Sequence, residues 1–211
     1  ISVSNGSVPR IYWTPRDTSR QWRAIASSAD GSRLIAAAEH FDSSIPGFLY
    51  VSTDAGVTWA PRESSRYWSS VASSADGMRL IAAEKGFTVP GLLYVSNDGG
   101  TTWTPREMPR SWSSVASSAD GTKLVAAVSN GAIYTSADSG ETWVPRTITN
   151  SSSVASSADG ATLSAVVARR VYKSTDSGES WTISLDLPNT SGLFVLSVAI
   201  SSDGTKLIAG G

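Results

Sequence analysis

The 211-residue chain contains no cysteine and a single histidine, His40. Without cysteine there is no disulfide framework, no thiolate nucleophile and no thiolate-bound metal, and one histidine excludes any site that needs two. The charges nearly cancel, with 17 Lys and Arg against 18 Asp and Glu. The clustered positive surface that dominates nucleic-acid binding is therefore not expected. No apolar run approaches the ~18 residues of a membrane-spanning helix, and no segment repeats apolar residues at i, i+3, i+4 and i+7 over three turns. What is present is eight Trp and 18 Gly among many serines, the composition of an all-β chain rich in turns.

Two motifs recur along it. Ser-Ser-Ala-Asp-Gly occupies 27–31, 73–77, 117–121 and 156–160, with an altered copy, Ile-Ser-Ser-Asp-Gly, at 200–204. Ser-x-Asp-x-Gly-x-Thr/Ser-Trp occupies 52–59, 96–103, 136–143 and 174–181. Taking Trp13 with Trp59, Trp103, Trp143 and Trp181, the period is 46, 44, 40 and 38 residues. Such a period suits four-stranded propeller blades or helical repeats, and the missing helical pattern excludes the second. The distance from each Trp to the next Asp-Gly aspartate is nearly constant, so the variation in length sits in one loop of the repeat.

Within a repeat four strands are predicted. Strand A is Trp112–Ser117; an Asp120-Gly121 hairpin turn leads to strand B over 123–127. After the variable loop comes strand C over 132–136, and the second motif turns the chain into strand D over 142–146. Strand A, built of Ser, Ala and Val, suits the crowded innermost position. In the second motif an Asp side chain can accept backbone N–H bonds two residues on, Gly takes a φ other residues resist, Thr restarts a strand and Trp fills the space between sheets.

This second motif resembles the Asp-box (BNR) repeat of sialidase-like β-propellers, found also in sortilin-type receptors, xyloglucan-degrading hydrolases and photosystem II assembly factors. The resemblance implies an all-β propeller, and it implies that the box is a structural turn facing away from the ligand site. Asp54, Asp98, Asp138 and Asp176 are accordingly read as structural. Ile1–Ser4 aligns with Leu49–Ser52 and Trp13 with Trp59, so residues 1–16 are expected to supply strands C and D to a last blade begun by 185–211. Full closure of this kind removes open sheet edges. The expected product is one domain of five blades, 17–62, 63–106, 107–146, 147–184, and 185–211 with 1–16, as a monomer; the alternative is a fragment of a longer propeller.

In such blades the D–A and B–C loops share one end, where the family's ligand sites lie. Here that end carries Arg20-Gln21-Trp22, Arg66-Tyr67-Trp68 and Arg110-Ser111-Trp112 in three consecutive blades, whereas the tryptophan is replaced by Ser151 and Val195 in the other two. The B–C loops of the first two blades add Glu39, His40, Phe41 and Asp42, then Glu84, Lys85 and Phe87. Two readings compete for the tryptophans. They either fill blade joints with Arg stacked on them, or stack on sugar rings while Arg and Glu bind hydroxyls. His40 with Glu39 and Asp42 reads as a solvated loop rather than a metal site, and no metal or cofactor is expected.

Sialidase-like activity is not expected. The aromatic-Arg-Ile-Pro motif of that family is absent, and Arg20, Arg66 and Arg110 belong to the repeat rather than to distinct catalytic positions. A paired-carboxylate hydrolase could recruit Glu39 and Glu84, read as equivalent in neighbouring blades. The expected function is a non-catalytic module that binds carbohydrate through Arg20, Trp22, Glu39, Arg66, Tyr67, Trp68, Glu84, Arg110 and Trp112. The alternative is a scaffold for protein interaction or assembly. The Ser/Thr/Trp-rich composition suggests an extracellular or periplasmic location.

Overall fold

The computed structural model describes residues 20–39, 47–86, 89–187 and 195–211. Its strands group into blades in chain order. Blade one holds β1 (Gln21–Ser27), β2 (Leu34–Glu39), β3 (Gly47–Ser52) and β4 (Ala60–Arg66). Blade two holds β5 (Trp68–Ser73), β6 (Leu80–Glu84), β7 (Gly91–Ser96) and β8 (Thr104–Arg110). Blade three holds β9 (Trp112–Ser117), β10 (Leu124–Val128), β11 (Ala132–Ser136) and β12 (Val144–Thr149), and blade four β13 (Ser153–Ser156), β14 (Leu163–Val167), β15 (Arg170–Ser174) and β16 (Thr182–Asp186). Each of these four is an antiparallel sheet in simple sequential order, and β17 (Ser197–Ile200) with β18 (Leu207–Gly210) forms a two-stranded fifth unit. The chain is all-β, as expected, with strands A and C of blade three where the sequence places them.

The core lies between blades rather than within them. At the first joint Ile35, Ala37, Leu49 and Val51 of blade one meet Trp68, Val71, Leu80, Ala82 and Tyr94 of blade two. The second joint repeats this with Ile81, Ala83, Leu93 and Val95 against Trp112, Val115, Leu124, Ala126 and Tyr134. Val125, Ala127 and Ile133 against Val154, Leu163 and Ala165 form the third, and Val166 and Val171 against Val195, with Val198 and Leu207, the fourth. In the first two joints a face of Ile, Ala, Leu and Val thus meets a face that adds a buried Trp and Tyr, whereas at the fourth Val195 stands in the tryptophan's place.

Serine in strand A has a specific task besides being small. The hydroxyls of Ser70, Ser114 and Ser153 accept the N–H of Val115, Val154 and Val198 from the next blade, at 3.1, 3.2 and 3.3 Å. A second chain of bonds runs through the A–B turns: the N–H groups of Ala29, Ala75, Ala119 and Ala158 donate to the carbonyls of Ala75, Ala119, Ala158 and Ser202 at 2.7–2.8 Å. This belt stops at Ser202, and among the described residues no bond returns from it to Ala29. The expected closure of the fifth blade by residues 1–16 lies outside the described residues.

The A–B turn is broader than a two-residue hairpin. Ser28 N–H bonds the Arg33 carbonyl at 2.8 Å and Gly31 N–H the Ser28 carbonyl at 3.0 Å. Only the glycine has positive φ, +71°, because Asp30 instead accepts from Ser28 Oγ and Ser32 N–H at 2.6 and 3.0 Å.

Candidate functional site

Two ends of the blades must be told apart before any site is placed. The box turns pack on the A–B turns of their own blades, since Ala55, Gly99, Ser139 and Ser177 N–H donate to Ser32, Met78, Thr122 and Ala161 carbonyls at 2.8–2.9 Å. At the other end the B–C and D–A loops join, through Lys85 N–H to Tyr67 O and Ser129 N–H to Ser111 O, both 2.8 Å.

At the box end the geometry explains the motif. Asp98 does not close a turn two residues on; its carboxylate accepts the Thr102 N–H at 2.9 Å and the Thr102 hydroxyl at 2.6 Å, four residues away. Asp54 and Asp138 hold Thr58 and Thr142 in the same way, and Asp176 holds Ser180. The motif's serine is the residue whose role the sequence reading missed. Buried Ser96 donates to Asp98 at 2.8 Å and accepts the buried Gly100 N–H at 2.9 Å. Two consecutive left-handed residues complete the turn, as at Ser139 and Gly140 with φ of 61° and 87°. The indole of Trp103 then donates to the Gly100 carbonyl at 3.2 Å. Hydrogen bonds from Thr102 lead in holding the Asp98 carboxyl down at about 2. For Asp138, burial pushes upward but the Thr142 and Ser136 bonds outweigh it, again leaving about 2. A concavity of about 190 Å³ also sits at this end between blades three and four, lined by Lys123, Thr135, Arg146 and Glu179 among others.

At the D–A end the expected arginines and tryptophans are organised by tyrosines. The guanidinium carbons of Arg20, Arg66 and Arg110 lie 4.3, 4.4 and 4.5 Å from the ring centres of Tyr50, Tyr94 and Tyr134. The same tyrosines meet Trp22, Trp68 and Trp112 edge-on at 5.4–5.6 Å. The signal for these tyrosines was present in the sequence, as the Tyr of Leu-Tyr-Val-Ser and Ile-Tyr-Thr-Ser in strand C. Arg20 also donates to the Tyr50 hydroxyl at 2.8 Å. Arg66 stands 3.5 Å from Glu63 and 3.8 Å from Glu84, while Glu84 accepts the Leu92 N–H at 3.3 Å. Burial pushes the Tyr94 hydroxyl pKa up.

The tryptophans separate. Trp68 and Trp112 are fully buried, both at 0% exposure, whereas Trp22 is 41% exposed. A ladder slip between strands A and B brings Trp22 opposite Ala38, Trp68 opposite Glu84 and Trp112 opposite Val128. Such a bulge re-aims the side chain, here into the blade joint. Trp68 and Trp112 therefore offer no face to a sugar ring, and the joint-filling reading describes them. Tyr67 is half-buried beside Trp68, and its carbonyl closes the loop contact to Lys85.

The expected equivalence of Glu39 and Glu84 is corrected by register. Glu39 pairs with Gln21, one residue beyond the Trp22–Ala38 pair, while Glu84 pairs with Trp68 itself. A one-residue offset exchanges the two sides of a strand, so the two glutamates do not form a repeated carboxylate position. His40, Phe41, Asp42 and Phe87 lie outside the described residues. Among the described residues no cluster of three His, Cys, Asp or Glu is suited to a metal. The arrangement offers fixed cationic and aromatic contacts.

The BNR/Asp-box repeat model matches residues 94–105. No curated protein matches the chain by sequence. Among solved structures the Niastella koreensis GH74 enzyme is similar, with a TM-score of 0.70 and 20% identity over 89% of this chain and 33% of that one. YCF48 bound to D1 peptide is similar with a TM-score of 0.64 and 17% identity, over 96% of this chain and 66% of that one. YCF48 from Cyanidioschyzon merolae gives a TM-score of 0.63 and 20% identity, over 92% and 65%. All are β-propeller proteins. The chain spans between a third and two thirds of their lengths.

Proposed function

We propose that this BNR/Asp-box β-propeller is a non-catalytic binding module whose D–A and B–C loop end takes a protein segment. The observation that carries the reading is the row of Arg20, Arg66 and Arg110 stacked on Tyr50, Tyr94 and Tyr134 above indoles that are, in two blades of three, buried. A stacked guanidinium keeps in-plane N–H donors for carboxylates and carbonyls, and its rotamer is settled before a ligand arrives. A relative of the same fold, YCF48, has been seen bound to D1 peptide, which is consistent with a peptide ligand at this fold. An extracellular or periplasmic location belongs to the same proposal and rests on composition.

Carbohydrate binding is the second reading, favoured by the half-exposed Trp22 beside Arg20. A peptide array and a glycan array probed in parallel with the same chain separate the two. Peptide binding that falls at least tenfold in Arg66→Ala, with an unchanged melting temperature, supports the first. Glycan binding lost in Trp22→Ala and kept in Arg66→Ala replaces it with the second.

A further inference from the structure

The two ends of the blade row are the two halves of a joint that the chain builds four times. At blade one no described residue packs over the Trp/Val type of face. Ile25 is 65% exposed, whereas Val71, Val115 and Val154 at the same position are 5–7% exposed. At blade five no described residue packs over the Ile/Ala type of face. Ile208 is 71% exposed, whereas Ile35, Ile81 and Val125 at its position are at 0–1%. Ala199 beside it is exposed too, and β18 pairs only with β17 among the described residues.

The polar groups at the two ends match in the same sense. Ser197 stands where Ser70, Ser114 and Ser153 accept a strand N–H from the following blade. Ile25 occupies the place of the valines that donate it. Ser202 N–H stands where Ala29, Ala75, Ala119 and Ala158 donate to the following turn, and the Ala29 carbonyl where the turns of the later blades accept.

We infer that blade five of one copy packs against blade one of a second copy, reproducing the interblade joint between chains. Such a contact is heterologous, because the two surfaces differ and each copy carries one of each. The uncovered apolar side chains and the open strand edge are the usual signature of a surface awaiting a partner. Four internal copies of this joint are the reason to name this chain as that partner. The contact would bury Trp22 as Trp68 and Trp112 are buried, so it competes with a glycan at Trp22 and is independent of peptide binding at the arginine row.

Sedimentation velocity across a thousandfold range of concentration tests it on the full 211-residue chain. The unaltered chain is expected to associate reversibly. Ile25→Glu and Ile208→Glu each remove one face and are expected to remain monomeric. Mixed together they are expected to form a dimer and nothing larger, because each retains the face that the other lacks. Both side chains are exposed, so each variant should keep the parent's circular dichroism; Ile25→Ser and Ile208→Ser serve if one does not. A chain that is monomeric throughout, as when a ring closes within one molecule, overturns the inference. So does either variant associating with itself, or a mixture that stays monomeric.

Discussion

Replacing Trp68 by alanine measures how much a blade joint depends on its aromatic wedge. The indole is fully buried against Ile35, Ala37, Leu49 and Val51 of blade one, edge-on to Tyr94. Truncation leaves a cavity the size of an indole between two rigid sheets that cannot both move in to fill it. Large aromatic-to-alanine changes in such settings cost about 3–5 kcal/mol. Trp22 provides the internal control, since it occupies the same repeat position but is 41% exposed. Its truncation removes roughly half as much buried area and should cost about 1–2 kcal/mol. For a chain of this size each kcal/mol lowers Tm by about 2–4 °C, so Trp68→Ala should melt roughly 6–20 °C below the parent. Urea unfolding followed by far-UV circular dichroism gives the comparison without relying on tryptophan emission. Trp68→Phe, which refills most of the cavity, should fall between the parent and the alanine variant. If Trp68→Ala costs no more than Trp22→Ala, the wedge argument is refuted and the indole is free to serve a ligand.

Ser136→Ala should destabilise more than Asp138→Ala. The serine leaves the buried Gly140 N–H without its acceptor at 2.9 Å, worth about 1–3 kcal/mol, while the aspartate is exposed and water replaces it for about 1 kcal/mol; urea midpoints decide the order. Gly140→Ala forces a side chain into φ +87° with its Cβ 2.9 Å from Val95 Cγ1, so a loss of about 2 kcal/mol is expected in the same assay. The box carboxyls of Asp54, Asp98 and Asp138 are held at about 2 by their hydrogen bonds, below the ordinary value of about 4. A depressed folded-state pKa stabilises above the unfolded value and loses that stabilisation as pH falls. Tm should therefore be flat from neutral pH to about 5 and decline between about 4 and 2; a Tm that rises on acidification contradicts the hydrogen-bond assignment.

The parts legible in the sequence are those where local chemistry and the repeat agree. Strand A of blade three, Trp112–Ser117, and strand C, Ala132–Ser136, fall where Ser/Ala/Val composition and the following box place them. The box aspartate was legible as a turn former, though its partner is four residues on rather than two. The candidate site was less legible because it depends on register. The slip next to the tryptophan is common to Trp22 and Trp68, and Trp68 is buried because blade one packs against it; nothing in Arg-Tyr-Trp announces a bulge. Glu39 and Glu84 were separable in the sequence itself, since Glu39 lies nine residues after Asp30 and Glu84 eight after Asp76, and the slip shared by both blades keeps that one-residue offset. The tyrosines of strand C were visible in four repeats, yet their role emerges only when the Arg-x-Trp segment, two strands away in the same sheet, folds onto them and the guanidinium settles on the ring. A repeat therefore predicts its joints, which are local and copied, more securely than its rim, where each blade ends in its own loop. For the same reason the exposed faces at Ile25 and Ile208 are interpretable. They are copies of a joint whose partner is written four times elsewhere in the chain, whereas the arginines at the rim have no second copy of their ligand to be read from.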